Sequence, residues 1–100
     1  MLRTIDPSLE LKYNKFYIGL AKDGQPNNFV LFRAKKENLR VELRLDQSEE
    51  VRRELDEASL DLMDYDNHSG RYRIRLTPGQ VSNHKSFLTK LLRLSYEQYG

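Results

Sequence analysis

Arginines 71, 73 and 75 stand on alternate residues of the stretch GRYRIRLT, with Tyr72, Ile74 and Leu76 between them. A period of two is the period of a β-strand, so the guanidinium groups project from one face and the apolar side chains from the other. The stretch LRVELRLD repeats the pattern, with Arg40, Glu42 and Arg44 alternating with Leu39, Val41, Leu43 and Leu45. Strands lie about 4.8 Å apart. If these two run side by side, or lie beside Lys15 and Tyr17, one sheet face collects guanidinium forks whose planar donor pairs match phosphate oxygens. An exposed tyrosine on such a face offers a base a ring to stack on. The predicted polyanion-binding set is therefore Arg40, Arg44, Arg71, Arg73, Arg75 and Tyr17. The same residues also suit a solvated sheet surface on which Glu42 pairs with cross-strand arginines.

Other chemistry is sparse. Asp61, Asp64, Asp66 and His68 bring metal-type donors close together, but a calcium loop counted from Asp64 would need Gly and Glu where Ser69 and Arg75 stand. Turn formation by Asp and Asn accounts for the same residues, and no metal site is assigned. Asp6 followed by Glu10-x-Lys12 resembles the carboxylates and lysine of metal-dependent nucleases, yet the Asp stands only four positions before the Glu, which leaves no room for two strands. His68 and His84 are the only histidines, and there is no cysteine, no G-x-S-x-G elbow and no glycine-rich phosphate loop. The chain reads as a non-enzymatic domain without a cofactor.

One hundred residues, 38% hydrophobic and 32% charged, suit one domain able to bury a core without staples. The net charge of +2 conceals a segregation. Residues 46–66 carry nine acids against Arg52 and Arg53, a local net of −7, and the rest of the chain carries +9. The opening MLRTIDPSLELK has no apolar core, so it does not read as a signal peptide. No run approaches the ~18 apolar residues of a membrane span. A cytoplasmic protein with no membrane partner is expected.

The elements that must carry the arginines follow from periodicity. Residues 1–8 read as a lead-in broken by Pro7, and residues 9–98 as the folded core of a single domain spanning 1–100. Leu9, Leu11 and Tyr13 alternate, then the phase shifts to Phe16, Ile18 and Leu20, so a tight turn or a bulge lies at Asn14-Lys15. The stretch KDGQPNN is turn chemistry. FVLFRAKK and LRVELRLD are the next two strands. Asp46 with Glu49 suggests a capped helix carrying Val51, Leu55 and Ala58 and ending near Ser59. Residues 60–70 are either a loop or a short strand paired with residues 71–77. Thr77, Pro78 and Gln80 form a second helix start, with a restart near Ser82 or Asn83. The last helix presents Phe87, Leu88, Leu91, Leu92, Ser95, Tyr96 and Tyr99 on a wide apolar face. The expected fold is α+β, an antiparallel sheet of about four strands in the order β-β-β-α-β-α, with two helices on one face and the arginines on the other.

The succession KFYIGL, NNFVLFRAKK, LRVELRLD, YRIRLT and a terminal helix ending LLRLSYE resembles an uncharacterised prokaryotic family of unknown function over residues 12–98. Members often form the C-terminal module of longer proteins, some labelled "predicted transport protein" and some joined to nuclease-like domains. The resemblance implies an accessory domain and carries over no catalytic residue. Two functional expectations result. The first is a module that binds nucleic acid or another polyanion on the arginine face. The alternative is a homodimerisation or protein-interaction module working through the last helix or a free strand edge. A metal-dependent hydrolase ranks last.

Overall fold

A computed structural model describes residues 2–100, apart from the side chain of Arg3. The fold is α+β with an antiparallel sheet and helices, as the pattern predicts, but the sheet is larger than four strands. Its strands are β1 (Leu9–Tyr13), β2 (Ile18–Lys22), β3 (Gln25–Pro26), β4 (Val30–Ala34), β5 (Leu39–Arg44), β6 (Asp61–Leu62) and β7 (Arg71–Leu76). The helices are α1 (Leu2–Ile5), α2 (Glu49–Glu57), α3 (Pro78–Asn83) and α4 (Lys85–Tyr99). Across the sheet the order is β1-β2-β4-β5-β7-β6, with β3 paired to the end of β2.

The count rises because the phase shift at Asn14-Lys15 is a turn and not a bulge. The Asn14 N–H donates to the Tyr17 C=O at 2.9 Å, and Leu9, Leu11 and Tyr13 pair with Lys22, Leu20 and Ile18. Odd-numbered residues of β1 thus share a face with even-numbered residues of β2, which is what the shifted alternation encodes. At Asp23-Gly24 both residues have positive φ, 53° and 77°, the geometry of a two-residue hairpin turn that Asp-Gly favours. The ambiguous stretch after α2 supplies β6, which pairs Asp61 with Arg75 and Leu62 with Ile74.

β2 and β4 share one register pair, Ile18 with Phe32. Beyond it the Asn28 side chain takes the place of a backbone partner. Its Oδ1 accepts the Leu20 N–H at 2.7 Å, while the Asn27 N–H donates to the Leu20 C=O at 2.9 Å. This close approach explains Gly19, where a Cβ would stand 2.5 Å from that same Oδ1.

One sheet face carries the core. Leu20, Val30, Val41, Leu43, Tyr72, Ile74 and Leu76 meet Val51 and Leu55 of α2 and Leu88, Leu91 and Leu92 of α4. Helix α2 is capped by Ser48, whose hydroxyl accepts the Val51 N–H, and not by Asp46. The Asp46–Glu49 spacing matches a capping box, but the Tyr72 hydroxyl accepts the Ser48 N–H at 2.8 Å and starts the helix two residues later. Ser59, with φ 57°, ends it in the left-handed conformation. Thr77 and Gln80 form the predicted capping box of α3, and the break before α4 falls at His84. Ser95, fully buried, has its hydroxyl 2.6 Å from the Arg44 C=O and 3.0 Å from the Phe29 C=O, which seats α4 on the ends of β4 and β5. The lead-in is itself ordered, since Leu2 and Ile5 of α1 pack against the core; Met1 lies outside the described residues.

Candidate polyanion-binding face

The register decides which arginines meet. β5 pairs with β7 so that Arg40 faces Arg75, Glu42 faces Arg73 and Arg44 faces Arg71. On the other flank of β5, Arg33 of β4 faces Arg40 and Leu31 faces Glu42. Period-two alternation sets all of these on the face opposite the helices. By register all five arginines of the predicted set start from one sheet face, with Tyr17 at its margin, although the Arg44 guanidinium folds over the sheet end onto Tyr99 of α4. The Arg33 guanidinium lies 5.4 Å from the Tyr17 ring centroid. Arg33 is absent from the predicted set because the apolar run FVLF hides the phase of β4. Its signal is the spacing from Leu31, which lies on the arginine face although it is 7% exposed.

Like charges directly opposite each other repel, so the face needs internal counter-charges. Glu42 supplies the central one. It is 6% exposed, and its Oε2 lies 2.6 Å from the Arg33 Nε and 3.0 Å from the Arg40 Nε. At the β6 edge Asp61 holds the Arg75 Nε at 3.0 Å. Arg73 donates through Nε and a terminal nitrogen to the Asp64 C=O at 3.1 and 2.8 Å. Hydrogen bonds to a carbonyl position a guanidinium but leave its charge uncompensated.

Arg71 and Arg44 form the end of the face with least counter-charge. A terminal nitrogen of Arg71 reaches across β5 to the Asn28 C=O at 2.6 Å, while its Nε is buried without a hydrogen-bond partner. Burial, and next the neighbouring Arg44 charge, pull the Arg71 guanidinium below its usual range. Arg44 is exposed and stacks 4.5 Å from the Tyr99 ring centroid, and the Tyr99 hydroxyl donates to Asp46. Among the described residues neither Arg44 nor Arg71 forms an ion pair.

The other residues with chemical potential are dispersed. Asp61 serves Arg75, while Asp64 contributes its backbone carbonyl to Arg73. Asp66 builds the turn into β7, accepting the Ser69 hydroxyl at 2.8 Å and the His68 N–H at 3.0 Å. Those bonds, the Ser69 hydroxyl foremost, hold its carboxyl below the ordinary carboxylate range. Among the described residues no three acidic or histidine side chains gather as a metal set. Asp6 lies toward the helices, 2.8 Å from Lys22 Nζ and accepting the Tyr96 hydroxyl, whereas Glu10 and Lys12 alternate onto the arginine face. The pleat thus separates the nuclease-like trio. Tyr96 and Tyr99 of the last helix are engaged within the chain, Tyr96 edge-on to Phe29 at 5.3 Å.

No family model, no curated protein and no solved structure matches the chain. No helix among the described residues is long and apolar enough to cross a membrane.

Proposed function

We propose that this chain is a non-enzymatic accessory domain that binds nucleic acid, or a polyanion of similar charge spacing, on its helix-free sheet face. One observation carries the reading. Arginines 33, 40, 44, 71, 73 and 75 converge on that face through strand register, while Glu42 and Asp61 are the carboxylates that pair with them. The surplus is positive, since among the described residues Arg44, Arg71 and Arg73 have no carboxylate partner. Tyr17 beside Arg33, and the exposed Phe16 next to it, would stack bases along the margin. An accessory module within a longer prokaryotic protein, as the resemblance implies, fits this reading.

Fluorescence anisotropy of labelled single- and double-stranded oligonucleotides, at low and at physiological salt, tests it. Wild type should bind, with an affinity that falls steeply as salt rises. Arg44→Glu, at an exposed position, should weaken binding about tenfold or more without lowering the melting temperature much. An absence of binding at low salt by a folded protein overturns the proposal.

A second reading, as a self-association module, is favoured by a different feature, the free edge of β1.

A further inference from the structure

β1 lies at one end of the sheet and, among the described residues, pairs only with β2. The direction of its backbone groups follows from one bond. Asn14 N–H points toward β2, where it meets the Tyr17 C=O. Alternation then turns the groups of Lys12 and Glu10 the same way, and those of Leu9, Leu11 and Tyr13 toward the free edge. The turn before the strand already occupies the Leu9 N–H, which donates to the Asp6 C=O at 3.1 Å. Among the described residues that leaves the Leu11 N–H and C=O, the Tyr13 N–H and C=O and the Leu9 C=O as an open row.

Side chains along this row are poorly covered. Leu11 is 44% and Tyr13 75% exposed, although both share the core-side face with Leu20 and Ile18. On the opposite face Glu10 and Lys12 lie 4.0 Å apart, both largely in solvent.

We infer that β1 pairs with the β1 of a second copy of this chain, antiparallel, about a two-fold axis at Leu11. The sequence of the strand, LELKY, is self-complementary about that centre. Glu10 of each copy faces Lys12 of the other, Leu11 faces Leu11, and Leu9 faces Tyr13. The backbone fits the same register. Each Leu11 N–H donates to the other copy's Leu11 C=O, and each Tyr13 N–H to the other copy's Leu9 C=O. Centring the axis on Glu10 or Lys12 would also bring outward backbone groups together, but it would set like charges directly opposite. The paired sheet is continuous. Its arginine faces lie on the same side, because a two-fold axis normal to a sheet does not exchange its faces. The inference is independent of whether those faces bind a polyanion.

A five-residue edge is a small interface, below the ~1,200 Å² typical of stable complexes, so a weak, reversible dimer is expected. Sedimentation equilibrium of the whole chain from roughly 10 µM to 1 mM covers that regime. Wild type should shift from the 11.9 kDa monomer toward twice that mass. Glu10→Lys and Lys12→Glu each turn both cross-copy pairs repulsive and should weaken the dimer at least about fivefold. The doubly exchanged variant should recover it, and an equimolar mixture of the two single variants should form a heterodimer. Leu11→Pro removes an outward N–H that the monomer does not use, and should abolish pairing while the chain stays folded. A mass fixed at the monomer value throughout, or a dimer indifferent to the charge exchanges and to Leu11→Pro, overturns the inference.

Discussion

Glu42→Gln tests how the arginine face is held together. Glu42 lies among Arg33, Arg40 and Arg73, and its carboxylate touches the Nε atoms of the first two at 2.6 and 3.0 Å. The glutamine is nearly isosteric, so packing is kept and the charge alone is removed. Breaking a buried ion pair by deleting one partner costs about 3–5 kcal/mol. Here the carboxylate side chain is 8% exposed, but those of Arg33 and Arg40 are 27% and 24% exposed, so water screens part of the loss. A destabilisation of about 2–3 kcal/mol is expected. For a chain of this length that lowers the melting temperature by roughly 8–24 °C. Urea unfolding with an unchanged m-value gives the free energy directly. In the double-mutant cycle, Arg33→Gln together with Glu42→Gln should cost less than the two single changes summed. The same substitution adds one unit of positive charge to the face, so oligonucleotide affinity should rise while stability falls. A loss below about 0.5 kcal/mol, the range of ordinary surface substitutions, would refute the view of Glu42 as the desolvated counter-charge of the face.

Four further substitutions test individual contacts. Asp6 accepts from Lys22, Tyr96 and Ser8, with the Lys22 bond the chief cause, and this holds its carboxyl well below the ordinary value of 3.8. Its contribution is therefore complete above pH 3.8 and is lost as pH falls toward the depressed folded value, so Asp6→Asn should flatten the acid limb of the melting temperature. Lys22 is shifted upward by the same pair, so its contribution is complete below 10.5 and declines as pH rises beyond it; Asp6→Asn should flatten that alkaline limb as well. Asn28→Ala should cost about 1–3 kcal/mol by leaving the Leu20 N–H without its acceptor, and Gly19→Ala a similar amount by steric conflict with Asn28, both read by chemical denaturation. Ser95→Ala should cost about 1 kcal/mol, read the same way, and loosen α4 from the ends of β4 and β5.

Alternation alone placed Arg71, Arg73 and Arg75 on one face and Tyr72, Ile74 and Leu76 on the other, because a strand's side-chain period is a local property of the backbone. The Thr77–Gln80 cap was readable for the same reason, since both of its bonds close within four residues. Helix α2 shows the limit of such reading. Asp46 and Ser48 are both competent caps by spacing, and the choice fell to Tyr72, twenty-four residues away, whose hydroxyl accepts the Ser48 N–H. The lateral partners of each arginine were likewise beyond local pattern. Register between β4, β5 and β7 set Arg33 against Arg40 and Arg44 against Arg71, and register is a property of strand pairs. The sequence by itself determined an antiparallel α+β sheet, an apolar face for helices to cover and arginines on the opposite face. Tertiary structure alone decided that Glu42 would be buried as their counter-charge, that Asn28 would bridge β2 and β4, and that LELKY would be left as a free edge. Those outcomes depend on which distant segments become neighbours, and periodicity within a segment carries no record of that.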